Sequence, residues 1–312
     1  MVNLRDFFAK INNGLNFPGK LKFDEPMANH TSFKVGGKAD VWVQPEKEIF
    51  PEYAAKLIKA ARQEGIPVFI LGEGANIVVS DRGIRGIVLD TGAYSGFSVS
   101  AETSSVSVLS GTRVDSLVDS LAGEGLSGPE FLAGMPGSMG GGLWMNARCY
   151  EKSVSDLLME TEILDENCER QIIPYRPEDF SYKKSPFQAR QALILSGRFT
   201  VKKREPAEIR AEIAKYRKDR EEKGHYRYPS AGSAFKNSRA FNEPTGMIID
   251  KLGLRGLSAG GAQVAPWHGN IIINTGNAKA IDIKNLMDEV ARRVKKERGF
   301  DLESEVLFVG EW

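Results

Sequence analysis

The sequence predicts an α+β protein of more than one domain, and three observations carry that expectation. The chain has 312 residues, more than one typical core accommodates, so two or three domains are expected. Short apolar runs of strand length alternate with segments whose apolar residues recur at helical spacing. Glycine, at 32 residues, is clustered, and clusters mark places where backbone turns tightly or touches a ligand.

In chain order, residues 1–28 read as a helical arm and a connection. The run 29–37 opens a first unit and a strand over 39–43 follows. The segment 51–64 places Ala54, Leu57, Ile58 and Ala61 on one helical face. Short apolar strands over 68–71 and 77–79 flank Gly72, Glu73, Gly74, Ala75 and Asn76. A strand over 87–89 closes this unit, which spans 1–90. A second unit, 91–204, begins with strand-like alternation over 97–109. Val114, Leu117, Val118 and Leu121 then mark a helix ending at Gly123 or Gly125. A glycine-rich loop over 134–142 leads to Met145 and Asn146. Strands over 161–164, 170–173 and 192–201 follow, and 201–205 reads as a linker. A third unit, 205–312, starts with Pro206 in a first helical turn, with Ile209, Ile213 and Tyr216 as its apolar face. After a small-residue turn at Ser233, Asn242 is placed to cap a helix with Pro244 in its first turn. A buried strand over 271–273 and an amphipathic helix carrying Ile283, Leu286, Met287, Val290 and Val294 come next. That helix stops near Gly299. A last strand, 305–309, can return to the first unit.

Net charge is +1, so no basic field argues for a nucleic-acid partner. Cys149 and Cys168 are the only cysteines. No C-x-x-C or H-x-x-x-H spacing occurs, so no metal site is expected. No run reaches the roughly 18 to 20 apolar residues that span a bilayer, and 1–20 lacks the apolar stretch of a signal peptide. A cytoplasmic protein without a membrane partner is the expectation.

Several stretches hold chemistry beside plainer readings. In Ala231-Gly232-Ser233-Ala234-Phe235-Lys236-Asn237 the serine can exchange a proton, and Lys236 and Asn237 can hold a polar or anionic group; an ordinary turn is the plainer reading. The loops at 72–76 and 134–142 can present backbone N–H groups to phosphate. Neither has G-x-G-x-x-G or G-x-x-x-x-G-K-[ST] spacing, and either alone reads as a tight turn. Two of them in adjacent units point to a dinucleotide held between domains. Tyr182-Lys183-Lys184-Ser185 suits a carboxylate or phosphate, or is a solvated loop. Glu303 and Glu305, two apart on a strand, share a face. His268 reads as structural or surface imidazole and Cys149 as a small apolar filler.

The order of these motifs resembles the UDP-N-acetylenolpyruvoylglucosamine reductase family. It is carried by 29–37 (Asn-His-Thr-Ser-Phe-Lys-Val-Gly-Gly), 71–76 (Leu-Gly-Glu-Gly-Ala-Asn), and Gly134-Met135-Pro136-Gly137-Ser138 through Met145-Asn146-Ala147. It continues through 230–237, 260–264 (Gly-Gly-Ala-Gln-Val) and 302–306 (Leu-Glu-Ser-Glu-Val), nearly the whole chain. No long tyrosine-bearing insertion lies between Tyr182 and Ser230, as in the shorter, second type of that enzyme.

The resemblance implies a three-domain α+β flavoprotein. Two FAD-binding units of the vanillyl-alcohol oxidase superfamily type would occupy 1–90 and 91–204, with a substrate domain over 205–312. It implies non-covalent FAD, with the pyrophosphate against Gly72, Glu73, Gly74, Ala75 and Asn76 and against Gly137, Ser138, Gly140 and Gly141. Gly134, Pro136 and Asn146 belong to the same cofactor set. It implies NADPH as hydride source, UDP-N-acetylglucosamine enolpyruvate as substrate, and an enolate to be stabilised at the substrate carboxylate. Ser233 would be the proton donor, with Lys183 and Glu305 as stabilising groups. Tyr182, Lys236, Asn237, Arg255 and His268 would meet the substrate's polar groups.

The departures are specific. A lysine, Lys183 or with the register moved by one Lys184, stands where the family has arginine. Ala75 replaces a serine and Lys34 an arginine. Arg148-Cys149-Tyr150 follows Ala147 where a glycine is usual, and Gly224-His225 stands where Gln-Pro is common. These motivate two alternatives: a flavin-free UDP-sugar-binding relative, and a flavin oxidase of the wider superfamily attaching FAD through His30 or Cys149.

Overall fold

The computed structural model describes residues 3–12 and 17–312; the remaining positions of the expected amino-terminal arm lie outside the described residues. The chain forms two compact units, 1–23 with 41–73 and 86–218, and 24–40 with 74–85 and 219–312. Chain order and compactness therefore divide the molecule differently. Segments 24–40 and 74–85 pack with the carboxy-terminal third, because Phe33, Val35 and Val78 share a core with Ile248, Val264, Leu286 and Val290.

In the first unit, Val68–Leu71 pairs in parallel with Ile84–Asp90, Val68 opposite Ile87 and Leu71 opposite Asp90. These belong to a four-stranded sheet in the order Gly19–Pro26, Lys38–Pro45, Ile84–Asp90, Val68–Leu71. The helix Phe50–Gln63 buries Phe50, Ala54, Leu57 and Ala61 in the core that holds Val41, Val43, Ile87 and Leu89. A second sheet of five antiparallel strands runs in the order Arg170–Pro174, Leu158–Leu164, Leu193–Thr200, Ser105–Leu109, Phe97–Ser100. The helices Val114–Gly123 and Met139–Met145 share its core through Val118, Leu121, Met139 and Leu143.

In the second unit, four short strands pair in the order Ser230–Ser233, Ile271–Asn274, Ala262–Val264, Ser258–Ala259, all antiparallel. Ile77–Val79 pairs in parallel with the last strand, Leu307–Val309. The helix Ala280–Arg298 buries Ile283, Leu286, Met287, Val290 and Val294 and stops at Gly299, φ 74°.

Four sequence expectations change in detail. The alternating run 97–109 is two strands joined by a turn in which Ser104 has φ 46°. Three consecutive glycines of the expected loop lie inside the helix Met139–Met145, which Ser138 caps at Gly141 N–H. Of the expected linker, Lys202–Lys203 is a short strand paired with Leu126–Ser127. Asn242 does not cap the following helix. It is left-handed, φ 57°, and ends a short 3-10 turn, while Pro244 sits at the cap of Thr245–Lys251. Among the described residues no helix is long and apolar enough to cross a membrane.

Candidate active site

In the first unit, strand Val68–Leu71 delivers Gly72 against the second glycine-rich loop. A Cβ on Gly72 would lie 2.3 Å from Ser138 Oγ, so the contact admits only glycine unless Ser138 moves. Ser138 cannot move without loss, since its buried hydroxyl accepts from Gly141 N–H at 3.2 Å. Gly140 is also confined, by Ser110, whose Cβ would be 2.7 Å from an added methyl. Gly134 N–H donates to Asp115 at 2.6 Å, and Glu73 lies 3.3 Å from the Arg113 guanidinium. Between them, Pro136 is exposed and Gly137 is half-buried, and Gly141 is exposed. The two loops singled out separately in the sequence thus meet where the Ser138 hydroxyl packs on Gly72.

In the second unit, Gly74 has φ 61°, and a Cβ there would fall 2.0 Å from His30 O. The carbonyls of Gly74, Ala75 and Asn76 accept from Ser32 N–H (3.1 Å), Ser32 Oγ (3.2 Å) and Leu307 N–H (3.0 Å). In a trans peptide the C=O and the following N–H point opposite ways. The N–H groups of Ala75 and Asn76 are therefore turned to the other side of the loop, an arrangement that receives phosphate oxygens. This donor row fits the diphosphate of a cofactor. The serine hydroxyl missing at Ala75 is not needed for the N–H row.

Tyr182 and Lys183 occupy a tight turn closed by Lys184 N–H on Ser181 O (3.0 Å) and Ser181 N–H on Lys184 O (3.2 Å). Lys183 is left-handed, φ 58°; Tyr182 is exposed. The turn is tethered by Asn146, buried to 2% exposure. Its Nδ2 donates to Ser181 O at 3.0 Å and its Oδ1 accepts from Ser155 N–H at 3.2 Å. Asn146, expected beside the cofactor, uses its carboxamide inside the protein. Gln188 adds a bond to Lys183 O at 3.0 Å.

Ser233 ends the strand Ser230–Ser233, paired with Ile271 after a register shift. Glu305 N–H donates to Ala234 O, and Lys236 N–H to Glu303 O, both at 2.9 Å. Those bonds and the bridge between Phe235 and Ser304 run the segment 303–305 antiparallel to 234–236, with Glu305 one residue out of register with Ser233. Glu305 precedes the last strand, Leu307–Val309, and is not on the strand expected from 305. Of the residues expected at the substrate's polar groups, Lys236 lies 2.5 Å from the Glu303 carboxylate and Arg255 is paired with Asp250. Asn237 Oδ1 accepts from Thr245 N–H at 2.9 Å, supplying the cap that Asn242 does not. His268 Nδ1 accepts from Asn270 N–H at 3.1 Å, which puts the neutral ring's proton on Nε2. Burial pushes the His268 imidazole below its usual range, against the pull of Asp250. His225, 6.5 Å away between ring centres, is pushed down to about 4 by burial and by Arg220. Asn270, absent from the sequence-based set, bonds to the backbone after Ser233. Its one sequence signal is a polar side chain at the mouth of the apolar run 271–273.

Residues 224–309 match the model of the UDP-N-acetylenolpyruvoylglucosamine reductase C-terminal domain, and 40–171 match an FAD binding domain. The UDP-N-acetylenolpyruvoylglucosamine reductase of Treponema denticola is 37% identical over 325 residues, covering 99% of this chain and all of that one. This chain belongs to that family. The reductase of Borreliella burgdorferi is 39% identical over 285 residues, covering 91% of this chain and 93% of that one. The crystal structure of the reductase from Thermus caldophilus superposes with a TM-score of 0.75 at 30% identity, covering 93% of this chain and 98% of that one. The reductase-family C-terminal match contains Ser233, Asn270 and Glu305, whereas the flavin-domain match contains both glycine-rich loops and ends before Lys183.

Proposed function

We propose that this chain reduces the enolpyruvyl ether of UDP-N-acetylglucosamine to UDP-N-acetylmuramate, with NADPH as reductant and bound FAD, in peptidoglycan precursor synthesis. The observation that carries this reading is the match to reductases of that name along nearly the whole chain. FAD, when bound, supplies the hydride carrier between NADPH and C3 of the enolpyruvyl group.

The protein's own part is to hold the cofactor's diphosphate, the substrate and one proton. The N–H row at Ala75 and Asn76 and the bare backbone at Gly72, Gly137, Gly140 and Gly141 would hold the diphosphate. Hydride addition at C3 leaves negative charge spread over C2 and the carboxylate. Lys183 and Glu305 are proposed to stabilise that enolate, Lys183 by its charge and Glu305, when protonated, by a hydrogen bond. The Ser233 hydroxyl is proposed to give its proton to C2 and to recover one from solvent. Serine is a weak acid, adequate only toward a carbon as basic as an enolate's. Tyr182, Lys236, Asn237, Arg255 and His268 remain proposed substrate contacts.

The proposal keeps the division of labour expected from chain order, cofactor holding over 1–90 and 91–204 and substrate holding over 205–312; the family matches at 40–171 and 224–309 support the later boundary. It includes a cytoplasmic location, where NADPH and sugar nucleotides are at hand. Neither alternative gains an observation. The N–H row suits a flavin nucleotide, and the two groups that could attach one covalently are engaged, His30 with Glu25 at 2.9 Å and the Cys149 thiol with Phe131 O at 3.0 Å.

The test is the visible spectrum of the pure protein before and after anaerobic NADPH. Flavin bands that bleach, then return on adding the enolpyruvyl sugar nucleotide, are expected. Bands that return only with oxygen would remove the substrate from the proposal. A protein that stays colourless after incubation with FAD would remove the cofactor.

A further inference from the structure

We infer that Asn270 is a positioning residue that aims the Ser233 hydroxyl, an inference that rests on the role proposed above for Ser233. Three consecutive peptide units follow Ser233, and Asn270 holds all three. Its backbone carbonyl accepts from Ala234 N–H at 2.8 Å. Its Oδ1 accepts from Phe235 N–H at 2.9 Å, and its Nδ2 donates to Phe235 O at 2.8 Å. The side chain is 3% exposed, so no water can substitute for either bond, and a lost partner would stay unpaired. Asn270 is itself fixed, since its N–H donates to His268 Nδ1 at 3.1 Å.

The side of Ser233 toward the amino terminus lacks such control. The ladder slips between Ser230 and Ser233, and Gly232 lies at φ 72° with nothing within 4 Å of an added Cβ. A bulge of this kind re-aims a side chain but does not stiffen the strand. Ala234 and Phe235, held on one edge by Asn270 and on the other by Glu303 and Glu305, are therefore the fixed end from which the serine is directed. A proton donor needs such control, because small misplacements of reacting groups are costly in rate.

The experiment separates the two half-reactions in Asn270→Ala, Asn270→Asp, Ser233→Ala and the Ser233→Ala/Asn270→Ala double variant of the FAD-loaded protein. Asn270→Ala is expected to slow reoxidation by the enolpyruvyl sugar nucleotide about 10- to 100-fold, the scale of a misplaced reacting group, while NADPH still bleaches the flavin at the parent rate. Asn270→Asp keeps the acceptor and, when protonated, regains a donor. Its reoxidation rate should climb as pH falls from 8 to 5.5, a slope absent from Asn270→Ala. The double variant should be no slower than Ser233→Ala, because Asn270 acts through that hydroxyl. Parent-rate reoxidation in Asn270→Ala would overturn the inference. So would equal slowing of both half-reactions, or additive losses in the double variant. If Ser233→Ala itself reoxidises at the parent rate, the reading of Ser233 falls, which is a different result. Amide hydrogen exchange of the parent protein decides even if a variant misfolds. Ala234 and Phe235 N–H should be protected as well as strand Ile271–Asn274, and rapid exchange there would sink the inference.

Discussion

The turn that carries Ser233 and the turn that carries Lys183 are built on one plan and differ in what supports them. Each is tied to its unit by one buried asparagine, Asn270 at 3% exposure and Asn146 at 2%. Asn270 clamps a single residue with both ends of its carboxamide. Asn146 reaches in two directions, to Ser181 O and from Ser155 N–H. Asn146 also occupies a left-handed position itself, φ 45°, and holds a turn with a second left-handed residue, Lys183. The serine turn is clamped for aim. The lysine turn is held in a backbone shape that non-glycine residues adopt at some cost, so its tether has more strain to restrain.

The largest effect expected from this contrast is at Ser233. Ser233→Ala should keep FAD and its reduction by NADPH yet slow the sugar-nucleotide half-reaction by about 100- to 10,000-fold, the usual worth of a proton donor. Stopped-flow absorbance of each half-reaction measures it. Equal slowing of both would make the serine a structural member of its turn and erase the distinction between the two regions.

Next is the tether of the lysine turn. Asn146→Ala loses two bonds to buried backbone groups and places alanine in a left-handed conformation, a combined cost of about 3 kcal/mol. Asn146→Gly loses the same bonds without the backbone penalty and should be about 1 kcal/mol milder. Urea unfolding compares the two. Full stability in the glycine variant would mean that backbone shape alone matters there and that the carboxamide tether is dispensable.

Much of this was legible in the sequence. The strands Val68–Leu71 and Ile77–Val79 have the expected bounds because continuous apolar runs between glycines leave few alternatives. The helix Ala280–Arg298 follows its apolar period. The contact of Gly72 on Ser138 that joins the two glycine-rich loops was not legible, since it lies between segments more than sixty residues apart. The helix Met139–Met145 was not legible, since glycine is a poor helix former; the Ser138 cap and a buried Met139 and Leu143 override propensity. The tethering roles of Asn270 and Asn146 were opaque for a different reason, although Asn146 is among the residues expected at the cofactor. Asn270 bonds to a segment 35 residues earlier and Asn146 to one 35 residues later, so no local pattern announces these bonds. Reactive residues show in short motifs, whereas their supports are tertiary.

A third prediction sharpens the contrast by pH. The serine turn leans on His268 Nδ1, and His225 lies beside it; both imidazoles are held neutral chiefly by burial, with Arg220 and Lys223 adding to the effect at His225 and Asp250 opposing it at His268. A folded-state histidine pKa below the unfolded value means that the unfolded chain takes up the proton first as pH falls. Stability from His225 is therefore intact above about pH 6.5 and is lost on acidification toward about 4. The loss should be roughly 2 kcal/mol, the pKa gap being discounted for a ring that is partly exposed. Urea unfolding of the parent and of His225→Gln at pH 7.5 and 4.5 tests it: the parent should lose about 2 kcal/mol more than the variant. Equal losses would mean that the ring takes its proton in the fold.

The smallest effect expected concerns Lys183 itself. The family's arginine offers a planar fork that grips a carboxylate with two hydrogen bonds, whereas lysine offers a compact charge. The backbone here, φ 58° closed by the Ser181 and Lys184 bonds, makes the same demand on either residue, so the exchange adds no strain. Lys183→Arg should therefore keep or raise kcat/KM for the enolpyruvyl sugar nucleotide, within about tenfold, since two-pronged contact gains no more than a charged hydrogen bond. Steady-state kinetics with that substrate, read as kcat and KM separately, is the measurement. A gain confined to KM would place the side chain at substrate held alike in ground and transition states, and a gain in kcat would place it at the developing enolate. A collapse would mean that the surrounding pocket has been rebuilt around a lysine, and the lysine turn would then be the more specialised of the two regions.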